Sequence, residues 1–120
     1  MTADVLNPVD VETGIRELST RIAKGVAVVS SAYAAYLLQD RAYDRAFALA
    51  YLNAEGPAHE RKYVAEVDTN EEREVRDVAD VAFRHADRLA KALELELRAL
   101  QSIGASVRAM YGVAGRGEGA

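Results

Sequence analysis

At 120 residues the chain has the length of one domain, since compact domains cluster near ~100–150 residues. Half of its residues are hydrophobic, 28% are charged and only two are proline, which excludes wholesale disorder and an all-β fold and points to an all-α protein. The lack of cysteine excludes a disulfide framework, a thiol nucleophile and a sulfur-based zinc site, and the formal charge of −4 carries no whole-chain signature of nucleic-acid binding.

Residues 1–9 have little periodicity, and the Asn7-Pro8 pair disfavours helix at Asn7, so they are expected to form a flexible leader. Asp4 and Asp10 sit where a secretory signal would carry positive charge, and a cytoplasmic location follows. Asp10 is a suitable first-turn acceptor, with Glu12 favourable near the positive end of the helix dipole, and helix 1 is expected over about 10–55. Its stripe runs through Ile15, Leu18, Ile22, Val26, Val29, Tyr33, Tyr36, Tyr43, Phe47, Ala50 and Ala54 in three- and four-residue steps. Leu37, Leu38, Leu49 and Tyr51 widen that face. The apolar run Gly25 to Leu38 is shorter than the roughly 20 residues a membrane span needs, so it reads as a buried helix face and no membrane partner is expected.

Gly56-Pro57 ends helix 1, because proline removes an amide and clashes with the preceding turn. The connector 56–69 has room for one short helix behind Pro57. Thr69 and Glu72 fit a reciprocal capping box, which starts helix 2 at Asn70 or Glu71 and carries it over about 70–111. Its stripe is read as Val75, Val78, Ala82, His85, Leu89, Leu93, Leu97, Leu100, Ile103, Val107 and Met110. Gly112 is placed to stop it, leaving 112–120 as a flexible tail. The expected architecture is a single helical domain over 10–111, a long antiparallel helical hairpin. Such a hairpin buries one stripe per helix, a thin core for a chain of this size, so completion by homo-oligomerisation is expected. The alternative is a break near Gly25 that folds helix 1 back into a compact three-helix bundle.

Enzyme chemistry finds no constellation. His59 and His85 lack the second histidine of a helical zinc motif, and His85 falls on the apolar stripe as an interface residue. Glu71, Glu72, Glu74, Asp77 and Asp80 read as solvated helix-start charge without a paired base. No catalytic residue, metal or cofactor is therefore assigned.

Charge is distributed unevenly. Residues 55–80 carry nine acidic and four basic side chains, whereas 97–117 carry Arg98, Arg108 and Arg116 without an acid. In an antiparallel hairpin, Arg16, Arg21 and Lys24 join Arg98 and Arg108 at the open end, a candidate phosphate-binding set. Complementing the helix dipole accounts for Arg108 without a ligand, but not for Arg16, Arg21 or Lys24.

The stretch Leu97-Arg98-Ala99-Leu100-Gln101-Ser102-Ile103-Gly104-Ala105-Ser106-Val107-Arg108-Ala109-Met110 resembles the C-terminal helix of UvsY-like recombination mediators of bacteriophages. The order of a tyrosine-bearing helix, a glycine-containing turn and a long second helix is similar as well. The resemblance implies a small oligomeric helical protein that binds single-stranded DNA and helps a RecA-class recombinase displace single-strand-binding protein in the host cytoplasm. It also implies that Gln101, Ser102 and Ser106 add neutral hydrogen bonds to the phosphate contacts, with Tyr111 stacking on a base. The acidic total and the lack of a strongly basic turn depart from that family's pattern. The other reading from sequence is a non-enzymatic structural or adaptor protein whose amphipathic helices oligomerise and dock a partner.

Overall fold

A computed structural model describes residues 7–118, with side chains through Val113. The chain is all-α: α1 spans Pro8–Asn53, α2 spans Ala58–Asp68 and α3 spans Asn70–Glu118, giving a helical hairpin whose long arms are α1 and α3. It divides into two units, one made of Met1–Val26 with Leu89–Ala120 and the other of Ala27–Arg88.

In the first unit the facing positions recur with alternating three- and four-residue steps. They are Val11, Ile15, Leu18, Ile22 and Gly25 on α1, and Leu93, Leu97, Leu100, Gly104 and Val107 on α3, all buried or half-buried. This is the spacing of a coiled-coil seam, in which positions a and d of a seven-residue repeat face the partner helix. Glycine lets the helices close in. A Cβ added at Gly104 would lie 2.8 Å from Val11 Cγ1, and one added at Gly14 would lie 2.8 Å from Leu100 Cδ2.

In the second unit the same spacing runs through Val29, Ala32, Tyr36, Gln39, Tyr43, Ala46 and Ala50 of α1 and Arg76, Ala79, Phe83 and Ala86 of α3, all buried or half-buried. Phe83 carries the aromatic contacts, with ring centroids 5.0 Å from Tyr33 and 6.4 Å from Tyr36. Arg76 occupies a core slot. It lies 4.7 Å over the Tyr43 ring, 3.0 Å from Asp77 and 3.6 Å from Asp40. The hydrogen bond from Arg76 to Asp77 and the surrounding negative charge raise the Arg76 pKa above its ordinary value, so it remains a cation. The half-buried residues beside the seam, Asp40, Phe47, Asp80 and Asp87, all occupy position e. The opposite flank, position g, is exposed on both helices.

The structure departs from the sequence-based expectations in several places. Helix α1 runs through Gly25 without a break, which removes the compact three-helix alternative. It starts at Pro8, inside the expected leader, because Asn7 is the cap: its Oδ1 accepts the Asp10 amide at 2.9 Å. Proline fits the first helical position, and the extended backbone it imposes on Asn7 is the one a cap adopts. Residues 1–6 of that leader lie outside the described residues. Helix α1 ends at Asn53, and Gly56 turns the chain at φ 103°, where Arg61 Nε donates to its carbonyl at 2.9 Å.

The connector is helical as α2, and Thr69 forms no capping box. Its buried hydroxyl donates to Ala65 O at 2.6 Å, so it closes α2 while its carbonyl accepts the Arg73 amide at 3.0 Å and opens α3. Helix α3 passes through Gly112 to Glu118, so most of the expected flexible tail is helix; residues 119–120 lie outside the described ones. The stripes shift too. Val26 and Tyr33 on α1, and Val75, Val78, Ala82, His85 and Leu89 on α3, are exposed, while Gly25, Ala32, Ala79, Phe83 and Ala86 face the partner helix. Alanine suits such slots because closely packed helices leave little room between their backbones, whereas Gly25 has open space beside it.

Helix α1 also contains one 18-residue window long and apolar enough to cross a membrane by composition, and none of that window is buried. Its apolar content comes from carrying two apolar faces.

Candidate nucleic-acid interface

The expected phosphate-binding residues all belong to the first unit, and the coiled-coil register sorts them by side. Arg16 of α1 and Lys91, Arg98, Gln101 and Arg108 of α3 occupy b and e positions, which flank one side of the seam. The arrangement is visible where Glu12 and Arg108 line one cavity together with Pro8, Val11, Ile15 and Gly104. Arg21 and Lys24 occupy g and c and belong to the other side, as does Ser106. Ser102, at f, faces away from the partner helix. The nine residues thus do not form one surface: Arg16, Arg98, Gln101 and Arg108 share one side of the seam, with Arg98 and Arg108 ~15 Å apart along α3, and the rest are dispersed.

Arg16 is engaged, its Nη2 3.0 Å from Glu12 Oε1 with both side chains well exposed. Such an exposed pair is worth little and opens readily to a stronger anion. Among the described residues no ion pair holds Arg21, Lys24, Arg98 or Arg108. Because α3 continues to Glu118, Arg108 stands ten residues before its end, well outside the last turn. The dipole effect fades within that turn, so it no longer accounts for Arg108.

The sequence sets mainly Glu17 against these cations, but further acids stand on both sides of the seam. Glu12 and Glu94 share the side of Arg98 and Arg108, and Asp10, Glu17 and Glu96 share the side of Arg21 and Lys24. The seven-residue repeat of the charged residues carries this division. By sequence the first unit carries seven basic and seven acidic side chains, a net of zero, against eight basic and twelve acidic in the second, a net of −4. The contrast is therefore neutral against acidic, with a local excess of cations on the Arg98–Arg108 side.

Tyr111 is exposed. The tyrosines of α1 divide: Tyr36 and Tyr43 are half-buried, with Phe83 and Arg76 of α3 beside them, and Tyr33 and Tyr51 are more open, while Tyr63 of α2 is exposed. His85 is exposed on α3, not held in an interface within the chain. His59 lies 3.9 Å from Glu60 on the surface. Among the described residues no group of three or more His, Asp or Glu is arranged to hold a metal. Comparison with known proteins gives no match, whether to a family model, to a curated protein or to a solved structure.

Proposed function

We propose that this is a non-enzymatic, oligomeric helical protein that binds single-stranded DNA, acting as a recombination mediator of the kind its C-terminal helix resembles. The observation that carries the reading is the pair Arg98 and Arg108, exposed cations on one side of α3 without an ion-pair partner among the described residues. Gln101 lies between them, and Arg16 adds a further cation on α1 that a phosphate can take from Glu12. A strand's backbone is held by such neutralisation of phosphates, and each contact releases counterions. Repetition of a modest site in an oligomer raises its effective affinity without new contacts. Delivery of a RecA-class recombinase and displacement of single-strand-binding protein rest on the resemblance alone.

The test is retardation of a labelled single-stranded oligonucleotide across a salt series. Binding at low salt is expected, and Arg98→Ala with Arg108→Ala abolishes it while circular dichroism stays helical. Removal of these two cations flattens the log–log salt slope of any residual binding by about 1.4, since each phosphate neutralised on a single strand contributes roughly 0.7. No retardation at low salt by the folded protein overturns the proposal.

A scaffold or adaptor role is the second reading, favoured by a different observation: the exposed Val28, Leu38, Leu49 and Leu52 of α1 and Val75 and Val78 of α3. Assembly that persists unchanged in the absence of any DNA binding would favour it.

A further inference from the structure

Each long helix of the second unit carries a second seam. On α1 the positions Val28, Ser31, Ala35, Leu38, Ala42, Arg45, Leu49 and Leu52 recur in alternating three- and four-residue steps, and most are exposed. On α3 the same steps run through Glu71, Val75, Val78, Ala82 and His85, also largely exposed. These are the c and g positions of the repeat whose a and d positions join α1 to α3. In an antiparallel pair the g position of one helix flanks the g position of the other. The half-buried e residues mark the closed flank of the seam, so the two c/g stripes share the open flank and form one apolar face. Leu38 is 60% exposed, Val78 71% and Leu52 76%.

We propose that this face of the second unit seats a second copy of the chain, closing a four-helix bundle with the two hairpin tips side by side. Three observations select that occupant. The spacing is that of a coiled-coil seam, so the complementary surface is a pair of helices with the same repeat, which the chain itself supplies. The face spans residues 28–52 of α1, ~37 Å at 1.5 Å per residue, and 71–85 of α3, ~22 Å, which at 8–10 Å per helix is roughly 530 Å² per copy, so that two copies together just clear the ~1,000 Å² total a specific interface needs. Charge completes the fit. Arg45 is the one charged side chain on the α1 stripe, and Glu71 is the one acid on the α3 stripe. The contacts of Tyr43 and Asp40 with Arg76, and of Tyr36 and Tyr33 with Phe83, fix the level of one helix against the other and put Arg45 at the height of residues 71–74. With the two-fold axis parallel to the helices, α1 of each copy faces α3 of the other, and Arg45 meets Glu71 twice.

The experiment is solution mass by light scattering on the full chain without DNA, so that it reads assembly independently of strand binding. A mass twice that of the 13.0 kDa chain is expected, with Leu38→Glu plus Val78→Glu reduced to the single-chain mass while remaining helical. Arg45→Glu weakens the dimer, and Glu71→Arg in the same chain restores it. If the double glutamate variant does not fold, cross-linking decides, helped by the absence of native cysteine. Arg45→Cys mixed with Glu71→Cys joins through a short bis-maleimide into a dimer, and Asp44→Cys mixed with Glu71→Cys does not. A wild-type chain that stays monomeric at its highest soluble concentration overturns the proposal. So does a monomer that instead co-floats with neutral phosphatidylcholine vesicles, or a dimer indifferent to the Leu38 and Val78 substitutions. Failure of the Arg45–Glu71 cross-link overturns the tip-beside-tip arrangement.

Discussion

Gly25 and Gly104 are both helical glycines at seam positions, yet they differ in what surrounds them. Nothing lies within 4 Å of a Cβ added at Gly25, so Gly25→Ala keeps the helix and gains about 1 kcal/mol of helix propensity. At Gly104 the added carbon meets Val11, a buried β-branched side chain with little freedom to turn away. Overpacking of that kind costs about 1–3 kcal/mol, more than the propensity gain, so Gly104→Ala is expected to destabilise the protein. Chemical denaturation of the two variants checks this, and the same sign for both would contradict the packing described for the first unit. Gly14 falls between them, because its neighbour is the far end of Leu100, which can swing aside. All three glycines were visible in the sequence, but only the facing helix distinguishes them. Gly104 sits in the stretch that carries the family resemblance, so its contact with Val11 gives the small residue there a packing reason that requires no nucleic acid.

At the scale of the elements, the ends of the helices were less legible than their existence. Local rules suggested a leader through Val9, whereas the restriction proline imposes on Asn7 makes that residue a cap. Thr69 had the right neighbours for a capping box, but as the buried C-cap of α2 it turns its hydroxyl back to the Ala65 carbonyl one turn earlier. Gly112 had the right identity for a helix stop, yet α3 continues through it. A terminating glycine adopts positive φ, and among the described residues only Gly56 does so. Gly112→Ala is therefore expected to raise helicity and to stabilise α3 by up to about 1 kcal/mol, as read by circular dichroism and thermal melting. Loss of helicity would restore the stop at Gly112. Gly56→Ala should act in the opposite direction through its left-handed backbone.

Across the whole molecule, the buried apolar side chains among the described residues are Val11, Ala65, Ala86, Leu93 and Val107, while many large apolar side chains remain exposed. A chain so lightly packed on its own has few buried apolar side chains from which to draw stability. If copies of the chain cover the open faces, the melting temperature rises with protein concentration, because association stabilises by mass action. Calorimetry over a hundredfold concentration range checks this. A constant melting temperature would assign all the stability to the single chain. The sequence by itself determined the helical class, the turn at Gly56-Pro57, the long arms and the shortage of core, since these follow from periodicity, proline geometry and length. It also located the cations. Which stripe of each helix faces its partner, and hence which side each charge occupies, was decided only by the tertiary structure. Both helices carry two apolar stripes at the same three-and-four spacing, so periodicity cannot choose between them. Close packing of the backbones chooses the stripe rich in glycine and alanine, and leaves Val28, Leu38, Leu49, Val75 and Val78 on the surface.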